Sequence, residues 1–151
     1  MHPKVHAAAT PDAPAIIMAG SGASMTYAEL EAQSNRVAHL LRSHGLKRGD
    51  TIALMLVNSI DYLPICWGAQ RAGLVYVAMS TKLTADEATY IIADSGAKIF
   101  FGSGALGAVP AAGAGVSARY AVGGGIAGFV DFASAVAALP ATCIADESSG
   151  R

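Results

Sequence analysis

Glycines are the residues whose spacing first suggests chemistry in this sequence. Two segments match G-x-G-x-x-G, residues 102–107 after KIFF and residues 123–128 after RYAV. In dinucleotide-binding folds such glycines let a pyrophosphate approach a helix start, and an acidic residue about 20 positions later binds the ribose. The first match has VGGGIA at that distance, and the second reaches Asp146 in a segment without pattern. With 17 glycines chance matches are expected, so a dinucleotide site using Gly102 to Gly107 remains only an alternative.

Other motifs for catalysis or metal binding are weaker still. The sequence has no Walker loop and no G-x-S-x-G nucleophile motif. His2 and His6 have a spacing that suits a metal on a helix, but Pro3 and the terminal position predict frayed, solvated side chains. Cys66 and Cys143 form no CxxC pair and are interpreted as small buried side chains. We therefore predict no catalytic, cofactor-binding or metal-binding residue in this chain.

Composition and charge exclude several classes of partner. A chain of 151 residues is predicted to form a single domain over 1–151 with a substantial core. Hydrophobic residues make up 53% and charged residues 14%, which indicates an apolar globular protein. The net charge of −1 predicts neither nucleic acid nor an anionic membrane as a partner. The longest aliphatic run, 52–57, is too short to span a bilayer, and the first residues lack an apolar signal region, so we expect a cytoplasmic protein.

Helix starts are the clearest local signals. Thr26 with Glu29, and Thr84 with Glu87, have the spacing of capping boxes, in which both side chains bind free backbone N–H groups. Apolar spacing supplies the remaining elements. The predicted elements are a hairpin around Gly20 to Gly22, helices over about 27–44, 59–72, 84–95 and 129–139, and strands over 51–57, 74–79, 98–101 and 119–122.

The order of these elements predicts an α/β fold. Strands that alternate with helices form a parallel sheet with right-handed crossovers, here a three-layer arrangement of a mainly parallel sheet flanked by helices, with an N-terminal hairpin. The runs 51–57 and 74–79 are apolar at nearly every position, which is typical of strands covered on both faces. Asn58, Ser80 and Thr81 follow these strands, so they are candidates for lining the crevice at the carboxyl edge of the sheet.

Three stretches in register carry a resemblance to a known family. They are MTYAEL (25–30), GDTIALMLVNS (49–59) and AQRAGLVYVAMSTKLTADEATYIIADSGAKIFF (69–101). Together they resemble the amino-terminal region of the adenylate-forming, or AMP-binding, superfamily, and the match covers about Pro11 to Phe101. The stretch around Arg71 is most similar to acyl-CoA synthetases, although Ala78 and Ser80 stand where many members have Pro and Asn.

The resemblance implies both an activity and a missing part. Members of the superfamily use Mg-ATP to convert a carboxylic acid into an acyl-adenylate with release of pyrophosphate, and then transfer the acyl group to a thiol, usually that of CoA. Their phosphate-binding loop begins soon after a stretch like the tail 140–151. The sequence is therefore interpreted as the N-terminal subdomain of such an enzyme, inactive alone and without cofactors of its own, whereas the parent enzyme uses ATP, Mg and CoA.

Partners and structural residues follow from the same interpretation. The expected partner is the remainder of the parent chain, and an apolar surface left uncovered predicts a homodimer of the isolated chain. An α/β interaction module descended from such an enzyme is the other alternative. Gly73 is expected to end a helix and Tyr76 to pack a strand. The family-motif residues interpreted as structural are Thr26, Tyr27, Glu29, Leu30, Gly73, Tyr76 and Thr84.

Overall fold

Helices and strands alternate through most of the chain. The structure is a computed structural model, and it describes residues 2–148. The helices are α1 (Pro3–Ala9), α2 (Tyr27–Ser43), α3 (Tyr62–Arg71), α4 (Ala85–Asp94), α5 (Val109–Ala112) and α6 (Phe132–Ala137), with a 3₁₀ turn at Gly113–Gly115. The strands are β1 (Pro14–Ile17), β2 (Ser24–Thr26), β3 (Thr51–Met55), β4 (Val75–Ala78), β5 (Ile99–Ser103), β6 (Ala118–Val122) and β7 (Val130–Asp131).

The main sheet is parallel, as predicted. Its five strands lie in the order β4-β3-β5-β6-β7, and each neighbouring pair is parallel. Strands β1 and β2 form a separate antiparallel hairpin, which is also confirmed. From the inner strand β3 the chain passes through α3 to the edge strand β4. It then returns through α4 to β5, which lies on the other side of β3. The two-residue strand β7 was not predicted.

Both predicted capping boxes are present and explain where α2 and α4 begin. The Thr26 hydroxyl accepts from the Glu29 amide at 3.2 Å, while the Glu29 carboxylate accepts from the Thr26 amide at 2.8 Å. Thr84 and Glu87 repeat the arrangement at 3.3 and 2.9 Å. Each box satisfies donors that have no partner within the helix, so these starts are set by local sequence.

The sheet separates two apolar cores, which confirms the three-layer fold. Alternate residues of the same strand face opposite sides, so Ile52 and Leu54 lie in one core and Ala53 and Met55 in the other. The first core is covered by α2, α3 and α6, and the second by α4, α5 and the 3₁₀ turn. Other members of the first core are Val37, Leu41, Ile65, Ile99, Phe101, Tyr120, Val122 and Phe132, and of the second Ala88, Ile92, Phe100, Val109 and Val116.

Strand β4 has a sequence typical of cover on both faces, but it is covered incompletely, as expected from an apolar surface left uncovered in the isolated chain. It lies at the edge of the sheet, where Val75 is 52% and Tyr76 43% exposed. The expected packing of Tyr76 is therefore wrong, because an edge strand has a neighbour on one side only and helices cover it incompletely. Strand β3, which has a similar apolar sequence, is central, and its residues 52–55 are fully buried.

The amino terminus is more ordered than predicted. Residues 3–9 form α1, in which Pro3 occupies the first turn, where its missing N–H costs nothing. His2 contacts Trp67 edge-on at 5.4 Å, and His6 stacks on Tyr27 at 4.8 Å. Burial and the nearby Arg71 charge lower the pKa of His2. These histidines pack on aromatic rings, and the prediction that they are frayed and solvated is wrong.

The tail and its cysteine also differ from expectation. The described part of the tail, up to residue 148, packs along α2, and Ile144 is buried in the first core. Cys143 is exposed, so the prediction of a buried side chain is wrong there, although Cys66 is buried as expected. Neither the tail's path nor the exposure of Cys143 could be predicted, because both depend on contacts with residues more than 100 positions away.

Glycine 102 allows α5 to pack closely on β5. A Cβ atom at this buried position would lie 2.2 Å from a methyl group of Val109, far inside van der Waals contact. Gly107, in the same G-x-G-x-x-G match, has nothing within 4 Å of the equivalent point. The two glycines of the motif therefore differ in their packing requirement.

We expect Gly102→Ala to lower the free energy of unfolding by about 1–3 kcal/mol, since the added methyl overpacks the β5–α5 contact. Gly107→Ala is the matched control, with an expected change within about 0.5 kcal/mol. Urea unfolding followed by the fluorescence of Trp67 measures both. Equal stabilities of the two variants would show that the contact yields without cost.

Candidate functional site

The carboxyl edge of the parallel sheet is the candidate site. In the β3–β4 register Leu54 is opposite Ala78, so the ends of both strands reach the same edge. Asn58 follows β3, and Ser80 and Thr81 follow β4, and all three are exposed. The structure therefore brings the predicted crevice residues to one edge of the fold, at adjacent strand ends.

Hydrogen bonds continue beyond the strands and hold this edge in shape. The amide of Met79 donates to the carbonyl of Leu54 at 2.8 Å. The amide of Val57 donates to the hydroxyl of buried Ser103 at 3.0 Å, which ties the end of β3 to the end of β5. The backbone that carries Asn58 is thus fixed on both sides, whereas its side chain reaches solvent.

The loops after β5 and β6 approach each other at the same edge. A Cβ atom at Gly104 would lie 2.9 Å from the carbonyl oxygen of Gly124, so only glycine fits there without a backbone shift. Gly123 and Gly124 have φ of 72° and 148°, conformations that other residues rarely adopt. Close packing at Gly104 and positive φ at Gly123 thus account for one glycine of each G-x-G-x-x-G match without a ligand.

The turn between β3 and α3 contains polar groups that the sequence analysis did not single out. The Ser59 hydroxyl is buried and has no hydrogen-bond partner among the described residues. Asp61 precedes α3 without capping it through its side chain, and burial raises the pKa of this carboxyl. A polar NSID segment directly after a buried strand was the available signal. Next to Asn58, these groups can hydrogen-bond a polar ligand.

The site lacks the groups needed for covalent or metal chemistry. Cys66, in α3, is the thiol closest in sequence to this turn, and burial raises its pKa to about 11, so it remains protonated at neutral pH. Among residues 2–148, no cluster of three His, Cys, Asp or Glu is placed to bind a metal ion. Asn58, Ser80 and Thr81 offer neutral donors and acceptors, which fit secondary contacts with a ligand but do not neutralise a triphosphate. These three side chains alone do not form a complete ATP or Mg²⁺ site.

Within the described part of the chain, every helix is too short or too polar to cross a bilayer.

Comparison with known proteins places this fold in a family. The family model described as AMP-binding enzyme matches residues 4–124. The chain is 36% identical over 93 residues to the long-chain-fatty-acid–CoA ligase FadD13 of Mycobacterium tuberculosis, covering 62% of this chain and 18% of that protein. It is 38% identical over 96 residues to the fatty acid–[acyl-carrier-protein] ligase ScoC of Streptomyces coeruleorubidus, covering 64% and 18%.

A solved structure agrees with these relatives over nearly the whole chain. A fatty acyl CoA synthetase from Mycobacterium tuberculosis superimposes with a TM-score of 0.85 at 26% identity, covering 99% of this chain and 30% of that one. The chain thus spans less than a third of the length of each of these three proteins. The family model covers most of the chain, and the fold superimposes on a solved structure over nearly all of it. The chain therefore belongs to the AMP-binding enzyme family.

Proposed function

We propose that this chain is the N-terminal part of an ATP-dependent acyl-CoA synthetase. Such an enzyme activates a carboxylic acid with Mg-ATP to an acyl-adenylate and then forms a thioester with CoA. The observation that carries the proposal is the superposition of 99% of this chain on 30% of a fatty acyl CoA synthetase. The relatives named as fatty acid ligases support a hydrophobic acid as the substrate.

Within that enzyme, the chain would act as scaffold and supply secondary contacts. Asn58, Ser80 and Thr81 stand at the carboxyl edge, where open α/β sheets bind ligands, and would touch the acyl group or the adenylate. ATP, Mg²⁺ and CoA would be bound mainly by the remainder of the parent chain. Because positioning and charge neutralisation of the triphosphate provide most of the catalysis, the isolated chain would be inactive.

Two alternatives remain predictions. An interaction module of the same descent would use the same fold without catalysis, and the exposed edge strand β4 favours it as the second candidate. A dinucleotide site at Gly102 to Gly107 would need a helix N-terminus for the phosphates, but α5 has only four residues.

The reading frame after Arg151 discriminates between the synthetase and the interaction module: a phosphate loop within a few codons supports the synthetase, and a natural stop codon supports the module. Measurable NAD binding, lost on Gly104→Ala, would support the dinucleotide site.

The isolated chain is expected to show no ATP–pyrophosphate exchange with any carboxylic acid, because the neutral side chains of Asn58, Ser80 and Thr81 cannot by themselves hold a triphosphate. A full-length fatty acid ligase assayed in parallel serves as the positive control. Exchange above background by the purified chain would contradict the proposal.

A parent enzyme containing this segment is expected to form thioesters from fatty or other hydrophobic acids. Mass spectrometry of products from a panel of acids, with CoA and an acyl-carrier protein offered separately, measures both the acid and the thiol acceptor. Activity with amino acids alone would assign the enzyme to another branch of the family.

We also propose that the isolated chain forms a homodimer through the β4 edge. The amides of Val75 and Met79 donate towards β3, so in a parallel ladder the amides of Tyr76 and Ala78 point away from the sheet. Exposed apolar side chains at Val75 and Tyr76 accompany this open edge. A second copy can satisfy both features by pairing its own β4 across a two-fold axis.

Val75→Lys is expected to abolish this association, since a charged side chain on an edge strand opposes pairing. Val130→Lys, on the exposed strand at the other edge, is the matched control and should leave the association intact. Light scattering up to about 100 μM detects a dimer with a micromolar dissociation constant. A monomer at the highest concentration would contradict the proposal.

A further inference from the structure

Residues on three successive turns of α2 bind the tail of the chain, residues 140–148. The Asn35 amide donates to the carbonyl of Ala141 at 2.8 Å, and His39 Nε2 donates to that of Thr142 at 2.9 Å. Further along, Arg42 binds both carboxylate oxygens of Asp146. The tail therefore follows a defined path to the end of α3.

The tail ends its described path at Arg71, the last residue of α3. The side chain of Arg71 is 0% exposed. Its Nε donates to the Ser34 hydroxyl at 3.0 Å, and Nη1 donates to Asn35 Oδ1 at 2.9 Å. Both terminal nitrogens bind the carboxylate of Glu31. The guanidinium is thus held against α2 before the tail adds anything.

Two consecutive residues of the tail bind Arg71 through different groups. Glu147 Oε1 accepts from Arg71 Nη1 at 2.6 Å, and the amide of Ser148 donates to the carbonyl of Arg71 at 2.6 Å. The other oxygen of Glu147 accepts from Lys4 at 2.9 Å. Burial by itself would raise the pKa of Glu147, but the hydrogen bond from Lys4 and the charge of Arg71 outweigh it and the pKa is lowered.

Gly73, two residues after Arg71, also lies against the tail, and its φ of 68° favours glycine at this position. A Cβ atom at Gly73 would lie 3.4 Å from the Cβ of Ser148 and 3.0 Å from the Cγ of Arg48. Arg71 and Gly73, two motif residues without chemistry of their own, together form the surface on which Ser148 rests.

We propose that Arg71 is a positioning residue that fixes the place and direction of the chain at Glu147 and Ser148. In the parent enzyme this placement would set where a phosphate-binding loop further along the chain begins, an expectation that rests on the proposed function. Lys in place of Arg71 would keep the charge, but its single ammonium group cannot bind Ser34, Asn35, Glu31 and Glu147 together.

Glu147→Gln tests the proposal without unfolding the protein, because Glu31 still balances the buried charge of Arg71. Asp146→Asn is the matched control: it removes the same charge from another attachment of the tail, but Asp146 is 66% exposed and ion pairs of exposed side chains contribute little to stability. Amide hydrogen exchange measured by NMR on the whole chain reports Ser148 separately from Leu41 in the core. We expect the Ser148 amide to exchange about tenfold faster in Glu147→Gln than in the unmodified chain, while the exchange of Leu41 stays unchanged. In Asp146→Asn both amides should exchange as in the unmodified chain.

Arg71→Lys gives a second reading, with the same local acceleration expected at Ser148. The proposal is overturned if Ser148 exchanges equally in Glu147→Gln and Asp146→Asn, or if Leu41 accelerates as much as Ser148, since the latter describes general destabilisation. Fast exchange of the Ser148 amide in the unmodified chain would contradict this inference and leave the proposed function intact. A protected Ser148 in a protein whose parent enzyme forms no adenylate does the reverse.

Discussion

A buried guanidinium between two helices and the tail is the interaction on which much of this structure depends. Moving an arginine out of water costs several kcal/mol unless its donors are satisfied and its charge is balanced. Arg71 meets both conditions, through Ser34, Asn35, Glu31 and Glu147. The α2 partners hold the guanidinium between the helices, and Glu147 attaches the tail to the same group, so the tail is anchored where α3 packs on α2.

Helices α2 and α3 also pack closely through their apolar residues. A Cβ atom at Gly68 of α3 would lie 2.5 Å from Val37 of α2, so the two helices approach as closely as backbones allow. That approach lets a short side chain such as Ser34 reach the Arg71 Nε. The apolar seam and the polar cluster are therefore two parts of one interface, and a change that separates the helices weakens both.

The parallel sheet sets the polarity of the rest. Since β3, β4, β5 and β6 run in one direction, their polar strand ends collect at one edge, while α2 and α3 occupy one face. Asn58, Ser80 and Thr81 at the carboxyl edge have neutral side chains, which can hydrogen-bond a ligand. Family membership follows from the matched sequence and fold, and the fold by itself does not establish an activity.

The sequence by itself determined the elements whose causes are local. Thr26 with Glu29, and Thr84 with Glu87, predict helix starts because both partners lie within one turn. Alternation of strands and helices predicts the parallel sheet, and the motifs in register indicate the family. Only the tertiary structure decided that β3 is central and β4 an edge, since both strands are equally apolar and burial depends on strand order. It also decided that His2 packs on Trp67 and that Arg71 is buried against Glu147, because such pairings join residues far apart in the chain and leave no periodic trace in the sequence.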